Sequence, residues 1–175
     1  IALENELLLR KAKALAIRDE LTGLYTEAYI RQRLAEEIKR AIMYQRPCAL
    51  VMFVIQDFQD YRQRQGEPAA EQMLKKVGRV VQETVTEIDR VGRFGRNEIV
   101  AVLPERNKRE AMEIAEEIRR RAAFAFSSVQ DPQDQLKLVD GIAENPLDGL
   151  TAEELIRKAA AAVDGEALAG KNHTG

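Results

Sequence analysis

The chain has no Trp, one Cys, one His and five Pro in 175 residues. Cys48 alone can close no internal disulfide and build no thiolate cage for a metal; a buried place at the start of a strand, in a reducing compartment, suits it. His173 is the only imidazole and stands near the C-terminus, where neither a catalytic triad nor a His-based metal site is expected. No apolar run reaches the roughly 18 residues that cross a bilayer. An excess of one charge is missing as well: 27 basic against 29 acidic residues leave a net −2. That balance creates no field to recruit nucleic acid or anionic lipid, so contact with neither is expected.

What is present fits a folded domain. Hydrophobic residues make up 45% and charged residues 32% of a 19.7 kDa chain, a mix that suits one well-buried core and is too short for two ordinary ones. Residues 1–18 are charged throughout, carry no signal-peptide pattern and do not begin with Met. The sequence therefore reads as a piece of a longer, cytoplasmic or membrane-anchored parent. Two units are expected, a linker or signalling helix over 1–18 and a domain over 19–175.

Ile1 to about Arg18 contains strong helix formers and no Gly or Pro. Two seven-residue stripes compete within it: Ile1, Leu8 and Leu15, or Leu3, Leu7, Ala14 and Ile17. Either would suit a seam shared with a twin helix, and the last turns of a linker would look the same; the register stays open. Asp19 to Leu24 then breaks the helix. Thr26 is placed to cap the next one, whose apolar face is Tyr29, Ile30, Leu34, Ile38, Ala41 and Ile42. The continuous run Ala49 to Ile55 reads as a central strand covered on both faces. Pro68 opens a helix with Met73, Leu74, Val77, Val80, Val81, Val85 and Ile88 on one face. Strands at about 90–95 and 98–103 form a tight hairpin, and a helix follows from about Lys108 to Ala123. A turn-rich stretch, Ser127 to Gln135, leads to a strand at Leu136–Val139. The final helix spans about Thr151 to Leu168, with Thr151 and Glu154 as a capping box. The pattern is an α/β (α+β) fold of ferredoxin type, β-α-β-β-α-β with a leading helix.

The hairpin turn Gly95-Arg96-Asn97-Glu98-Ile99 carries a resemblance. It is similar to the Gly-Gly-Asp/Glu-Glu-Phe signature of the GGDEF family, the diguanylate cyclases that join two GTP into cyclic di-GMP. Asp19-Glu20-Leu21-Thr22-Gly23-Leu24 resembles that family's opening Asp-x-Leu-Thr-Gly-Leu. Gly66 and Leu74 fit its Gly-His-x-x-Gly-Asp-x-x-Leu segment, Asp89 keeps the usual distance before the turn, and Gly170-Lys171-Asn172 looks like the closing Gly-Arg-Asn. Several motifs in one order make this specific, and it covers nearly everything after residue 18.

The resemblance also implies which positions hold the chemistry, and here this sequence departs. The first-strand Asp that holds Mg²⁺ against the triphosphate corresponds to Val54, and the second Asp of that motif to Gln56. Asp57 is expected to point to the other face, as a cap or a solvated residue. The metal-binding acid of the turn corresponds to Asn97, and the Gly that admits a nucleotide to Arg96. Glu98 alone remains of the acidic set, expected as an exposed residue paired with a neighbouring Arg. The guanine-reading Asn and Asp correspond to Arg62 and Glu71. The phosphate-binding Lys corresponds to Ala167, with Lys171 replacing a nearby Arg. The inhibitory product site, Arg-x-x-Asp, reads Thr86-Glu87-Ile88-Asp89, and Arg90 is offset from the missing Arg. Arg119-Arg120-Arg121 is read as a solvated helix end.

The expectation is a catalytically inactive, pseudo-cyclase signalling module with no catalytic residue, no metal and no cofactor. It would act as a homodimer or through a partner protein held by the N-terminal helix. The alternative is a sensor that binds GTP or cyclic di-GMP through Arg62, Glu71 and Lys171. An active diguanylate cyclase using Mg²⁺ with GTP ranks below both.

Overall fold

The computed structural model describes residues 2–173, with the side chains of 11–15 and 167–173 outside the description. Helix α1 spans Ala2–Leu15. It stops short of Arg18 because the chain turns to pair with itself. The Thr26 amide donates to the Ile17 carbonyl at 2.9 Å, and Arg18 bridges Tyr25 in antiparallel fashion. Of the two expected stripes, Leu3, Leu7, Leu8 and Ile17 are exposed. Ile1, Ala14 and Leu15 fall outside the described side chains.

Helix α2 is Glu27–Tyr44, capped as expected by the Thr26 hydroxyl, which accepts from the Tyr29 amide. Its buried face is Ile30, Leu34, Ile38 and Ala41, whereas Ile42 turns out to solvent. Strand β1 is Cys48–Ile55. Two helices follow it: α3, Phe58–Gln65, and α4, Glu67–Thr84, with Pro68 in its first turn. The hairpin strands are β2, Arg90–Phe94, and β3, Glu98–Pro104. Helix α5 is Lys108–Ala125, opened by a capping box of Asn107 and Glu110.

Strand β4, Leu138–Asn145, corrects the expected Leu136–Val139. The turn-like residues Asp140, Gly141 and Glu144 lie within the strand, and each meets a specific neighbour. Gly141 faces α6 (Ala152–His173), so closely that a Cβ there would lie 2.0 Å from the Ala159 carbonyl oxygen. Asp140 pairs with Arg119, and Glu144 accepts from the Lys108 amide at 2.7 Å. Arg119 is thus bound to a buried acid on the sheet, not left to solvent, while Arg120 and Arg121 pair with Glu117. At the start of α6 the Thr151 hydroxyl accepts from the Glu154 amide, but the returning Glu154 carboxylate reaches the Leu150 amide, so the box closes one residue early.

The sheet order is β2-β3-β1-β4, antiparallel at every rung. This is the expected ferredoxin-type connection, with β1 central. Alternate β1 residues face opposite layers. Ala49, Val51, Phe53 and Ile55 pack with α4 and α5, while Leu50 and Met52 pack with α2 and α6. Apart from Ala49, each of these buried side chains contributes about 1.5–3 kcal/mol. The two layers therefore hold the C-terminal end of β1 and the β2–β3 turn side by side, and the candidate site lies there.

Candidate functional site

The turn is built on Gly95, whose φ of +54° is left-handed and suits a residue without Cβ. Arg96 is exposed at its tip. Its carbonyl accepts from the Arg93 guanidinium at 3.4 Å. Asn97 turns inward, and its side-chain amide donates to the Ile55 carbonyl at 2.8 Å. Glu98 pairs in register with Val54, so the two share the α2/α6 face.

Glu98 is a correction. It is not an exposed, ion-paired hairpin residue; it is half-buried, with no ion pair among the described residues. Burial raises its carboxyl above the usual range, and Glu27 of α2 and Asp164 of α6 push it further the same way. Those two acids belong to the surroundings of the turn, yet nothing in their own sequence neighbourhoods signals it. Asp57 keeps the solvated role expected of it: it precedes α3, caps nothing through its side chain, and pairs with Lys137 at 3.1 Å.

The Mg²⁺ that the fold family implies finds a poor donor set here. Mg²⁺ wants hard anionic oxygens in octahedral array. The corresponding positions offer an aliphatic chain (Val54), an amide whose N–H is directed at a carbonyl (Asn97), and a single half-buried carboxyl (Glu98). Among the described residues no three His, Cys, Asp or Glu side chains converge as a metal-binding group.

The expected base-reading residues do come together. Arg62 of α3 and Glu71 of α4 line one cleft of about 550 Å³ with Arg93 and Arg96, over a floor of Leu21, Phe58 and Leu74. Arg62 is only 17% exposed and is held by its own neighbours, Glu67 at 3.4 Å and the Gln59 side chain. Glu71 has no ion pair among the described residues. The sequence did not reveal that Glu67 would hold Arg62, because the pair forms only when the Gly66 turn folds α4 back beside α3. Lys171 and Ala167 fall outside the described side chains.

At the inhibitory position Asp89 is 3% exposed, and one of its oxygens accepts from both the amide and hydroxyl of Thr86, each at 2.8 Å. Its other oxygen, Oδ1, is buried without a partner among the described residues. Arg90 does not replace the missing Arg: its guanidinium donates to the carbonyls of Glu87 and Asp89 at 2.7 and 3.0 Å. An open cleft of about 720 Å³ runs past these residues to Arg18, Lys75 and Arg79.

One contact ties the opening motif to the turn. Asp19 accepts from the Thr22 amide and hydroxyl at 2.9 and 2.7 Å and pairs with Arg93 at 3.3 Å.

A family profile described as "Diguanylate cyclase, GGDEF domain" matches residues 16–173. The response regulator PleD of Caulobacter vibrioides is 26% identical over 160 residues, which are 90% of this chain and 35% of PleD. The chain thus spans about a third of that relative's length. Solved structures that share the fold include the following two. The diguanylate cyclase SiaD of Pseudomonas aeruginosa, in complex with its activator SiaC, aligns with a TM-score of 0.79 at 23% identity, over 97% of this chain and 64% of SiaD. The GGDEF domain of DgcB from Caulobacter crescentus, in complex with c-di-GMP, aligns with a TM-score of 0.77 at 18% identity, over 88% of this chain and 89% of that one.

Proposed function

The chain belongs to the GGDEF family of diguanylate cyclase domains, and from that premise we propose that it is a non-catalytic member: a cytoplasmic signalling module that relays state by dimerising or by holding a partner protein. One observation carries the reading. The turn position that would bring a carboxylate to metal carries Asn97, and its amide is already committed to the Ile55 carbonyl. Phosphoryl transfer between two GTP depends on positioning and on charge neutralised by metal, and an aliphatic Val54 opposite Glu98 supplies neither. Burial, then Glu27 and Asp164, work against the charged form of Glu98, the one carboxylate left at the turn.

Residues 1–18 act in this reading as the transmitting helix and 19–175 as the domain proper. Leu3, Leu7, Leu8 and Leu9 are exposed along α1 and give a twin helix or a partner an apolar surface to cover. SiaD was crystallised with a protein activator, which makes partner control a precedent for this fold. No helix among the described residues is long and apolar enough to cross a membrane.

The test is direct. The purified chain, incubated with GTP and Mg²⁺, is expected to release no cyclic di-GMP above a blank without protein; sustained product formation would overturn the reading. A second reading, nucleotide uptake without turnover, is favoured by the cleft that Arg96 shares with Glu71, which has no ion pair among the described residues. A GTP-dependent rise in Tm without product would select it.

A further inference from the structure

We infer that Asn97 does with a hydrogen bond what a bound cation would otherwise do, tying the hairpin turn to the end of β1, so that the geometry of this site is independent of divalent metal. The inference rests on the reading above that positions 54 and 97 no longer hold Mg²⁺.

Strand pairing leaves a specific debt at Ile55. The register between β1 and β3 ends at Val54 opposite Glu98. One step beyond, the Ile55 amide still donates to the Asn97 backbone carbonyl at 3.0 Å. A strand residue directs its N–H and C=O to the same side, so the Ile55 carbonyl also faces the turn. There the chain has already left the ladder, and no backbone N–H arrives to meet that oxygen. A carbonyl at a buried sheet end needs a donor. The Asn97 side chain provides it at 2.8 Å, closing a two-bond ring between residues 55 and 97.

The chemistry of the ring selects the amide. Only the nitrogen of a carboxamide can donate to a carbonyl, whereas a carboxylate is acceptor-only. An ionised Asp in the same rotamer would set oxygen against oxygen. Those two groups are reconciled only by something positive between them, or by the side chain swinging away. Asn97 removes the need for either. The neighbouring groups point the same way: Val54 adds no charge, and Glu98 already has Glu27 and Asp164 as like-charged neighbours. A second carboxylate at 97 would deepen that repulsion.

The test compares wild type with Asn97→Ala and Asn97→Asp by thermal melts, each with EDTA and with Mg²⁺, and follows exchange of the Asn97 side-chain amide protons by NMR. The alanine variant loses the bond and is expected to melt about 2–4 °C lower, the shift that about 1 kcal/mol produces in a chain of this size. The aspartate variant is expected to melt lower still in EDTA, because it adds repulsion to the lost bond. Wild type is expected to show protected Asn97 amide protons and a melting point unmoved by Mg²⁺. Three results would overturn the inference: an aspartate variant at least as stable as the alanine one in EDTA, unprotected Asn97 amide protons in wild type, or a wild-type melting point that climbs with Mg²⁺. None of these readouts involves turnover, so an unexpected cyclase activity would sink the proposed function without imitating any of them.

Discussion

Arg93 and Asp19 meet as an ion pair of 3.3 Å across 74 residues of sequence. The pair fastens the segment leading out of α1 to the strand that leads into the Gly95 turn, while the Arg93 guanidinium also reaches the Arg96 carbonyl. The Tyr25 amide donates to the Val91 carbonyl, and the Arg93 amide to the Tyr25 carbonyl, so backbone and side chains lock the same junction.

Asp19→Ala is expected to cost about 1–3 kcal/mol, since it orphans the Thr22 donors and the half-buried Arg93. The pH dependence has a definite sign. Burial would raise the Asp19 carboxyl, but the hydroxyl and amide of Thr22, with Arg93, outweigh it and hold the group below its ordinary 3.8. Unfolded chains then bind more protons in that window, so the contribution is present above about pH 4 and disappears as pH falls through the lower folded value. Denaturant melts of wild type and Asp19→Asn should converge toward pH 2; a gap that persists there would refute the assignment.

Glu98 has the opposite sign. Burial, then Glu27 and Asp164, raise its carboxyl above the ordinary 4.5, so the folded state holds the proton longer than the unfolded one. Wild-type stability should therefore fall as pH rises from about 4.5 through the folded value. Glu98→Gln removes that loss. Its melting point should match wild type near pH 4 and exceed it at pH 7–8, whereas parallel curves would contradict the placement of the three acids.

Gly141 and Gly165 make a matched pair. A methyl group at 141 would strike the Ala159 carbonyl oxygen at 2.0 Å and the Val163 amide nitrogen at 2.7 Å, backbone atoms of a packed helix. Gly141→Ala should cost about 3 kcal/mol or more. At Gly165 a Cβ meets nothing within 4 Å, and Gly165→Ala should be neutral or stabilise by up to about 1 kcal/mol. Thermal melts of the two variants decide it; a tolerated Gly141→Ala would mean that α6 does not sit this close to β4.

The parts of the fold that were legible in the sequence are those with local causes. The unbroken apolar run 49–55, rich in branched residues, reads as a strand buried on both faces, and Thr26 stands one residue before α2, where its hydroxyl reaches the Tyr29 amide. Helix α3 has no apolar periodicity in the sequence because its only buried residue is Phe58; its outer side is held by Arg64 and Gln65 on Asp134, from a one-turn helix at Pro132–Asp134. Strand β4 runs beyond its apolar pattern for a related reason, since Asp140 and Glu144 look like loop residues until Arg119 and the α5 N-terminus are beside them. At the site, position counting gave the substitutions at 54, 62 and 97. It could not give the Asn97–Ile55 bond, the Arg62–Glu67 pair or the acids around Glu98, which exist only where separate elements converge.

Reinstating Val54→Asp, Arg96→Gly and Asn97→Asp together should create a Mg²⁺-dependent rise in Tm that wild type lacks, because three changes restore two anionic ligands and open the turn. If the triple variant ignores Mg²⁺ while wild type responds to it, the assignment of these positions is wrong.

The most direct measurement is calorimetric titration of the wild-type chain with a non-hydrolysable GTP analogue, once in Mg²⁺ and once in EDTA. The account predicts that Mg²⁺ changes nothing, whether the nucleotide binds weakly or not at all. Saturable binding that requires two Mg²⁺ per nucleotide would contradict it.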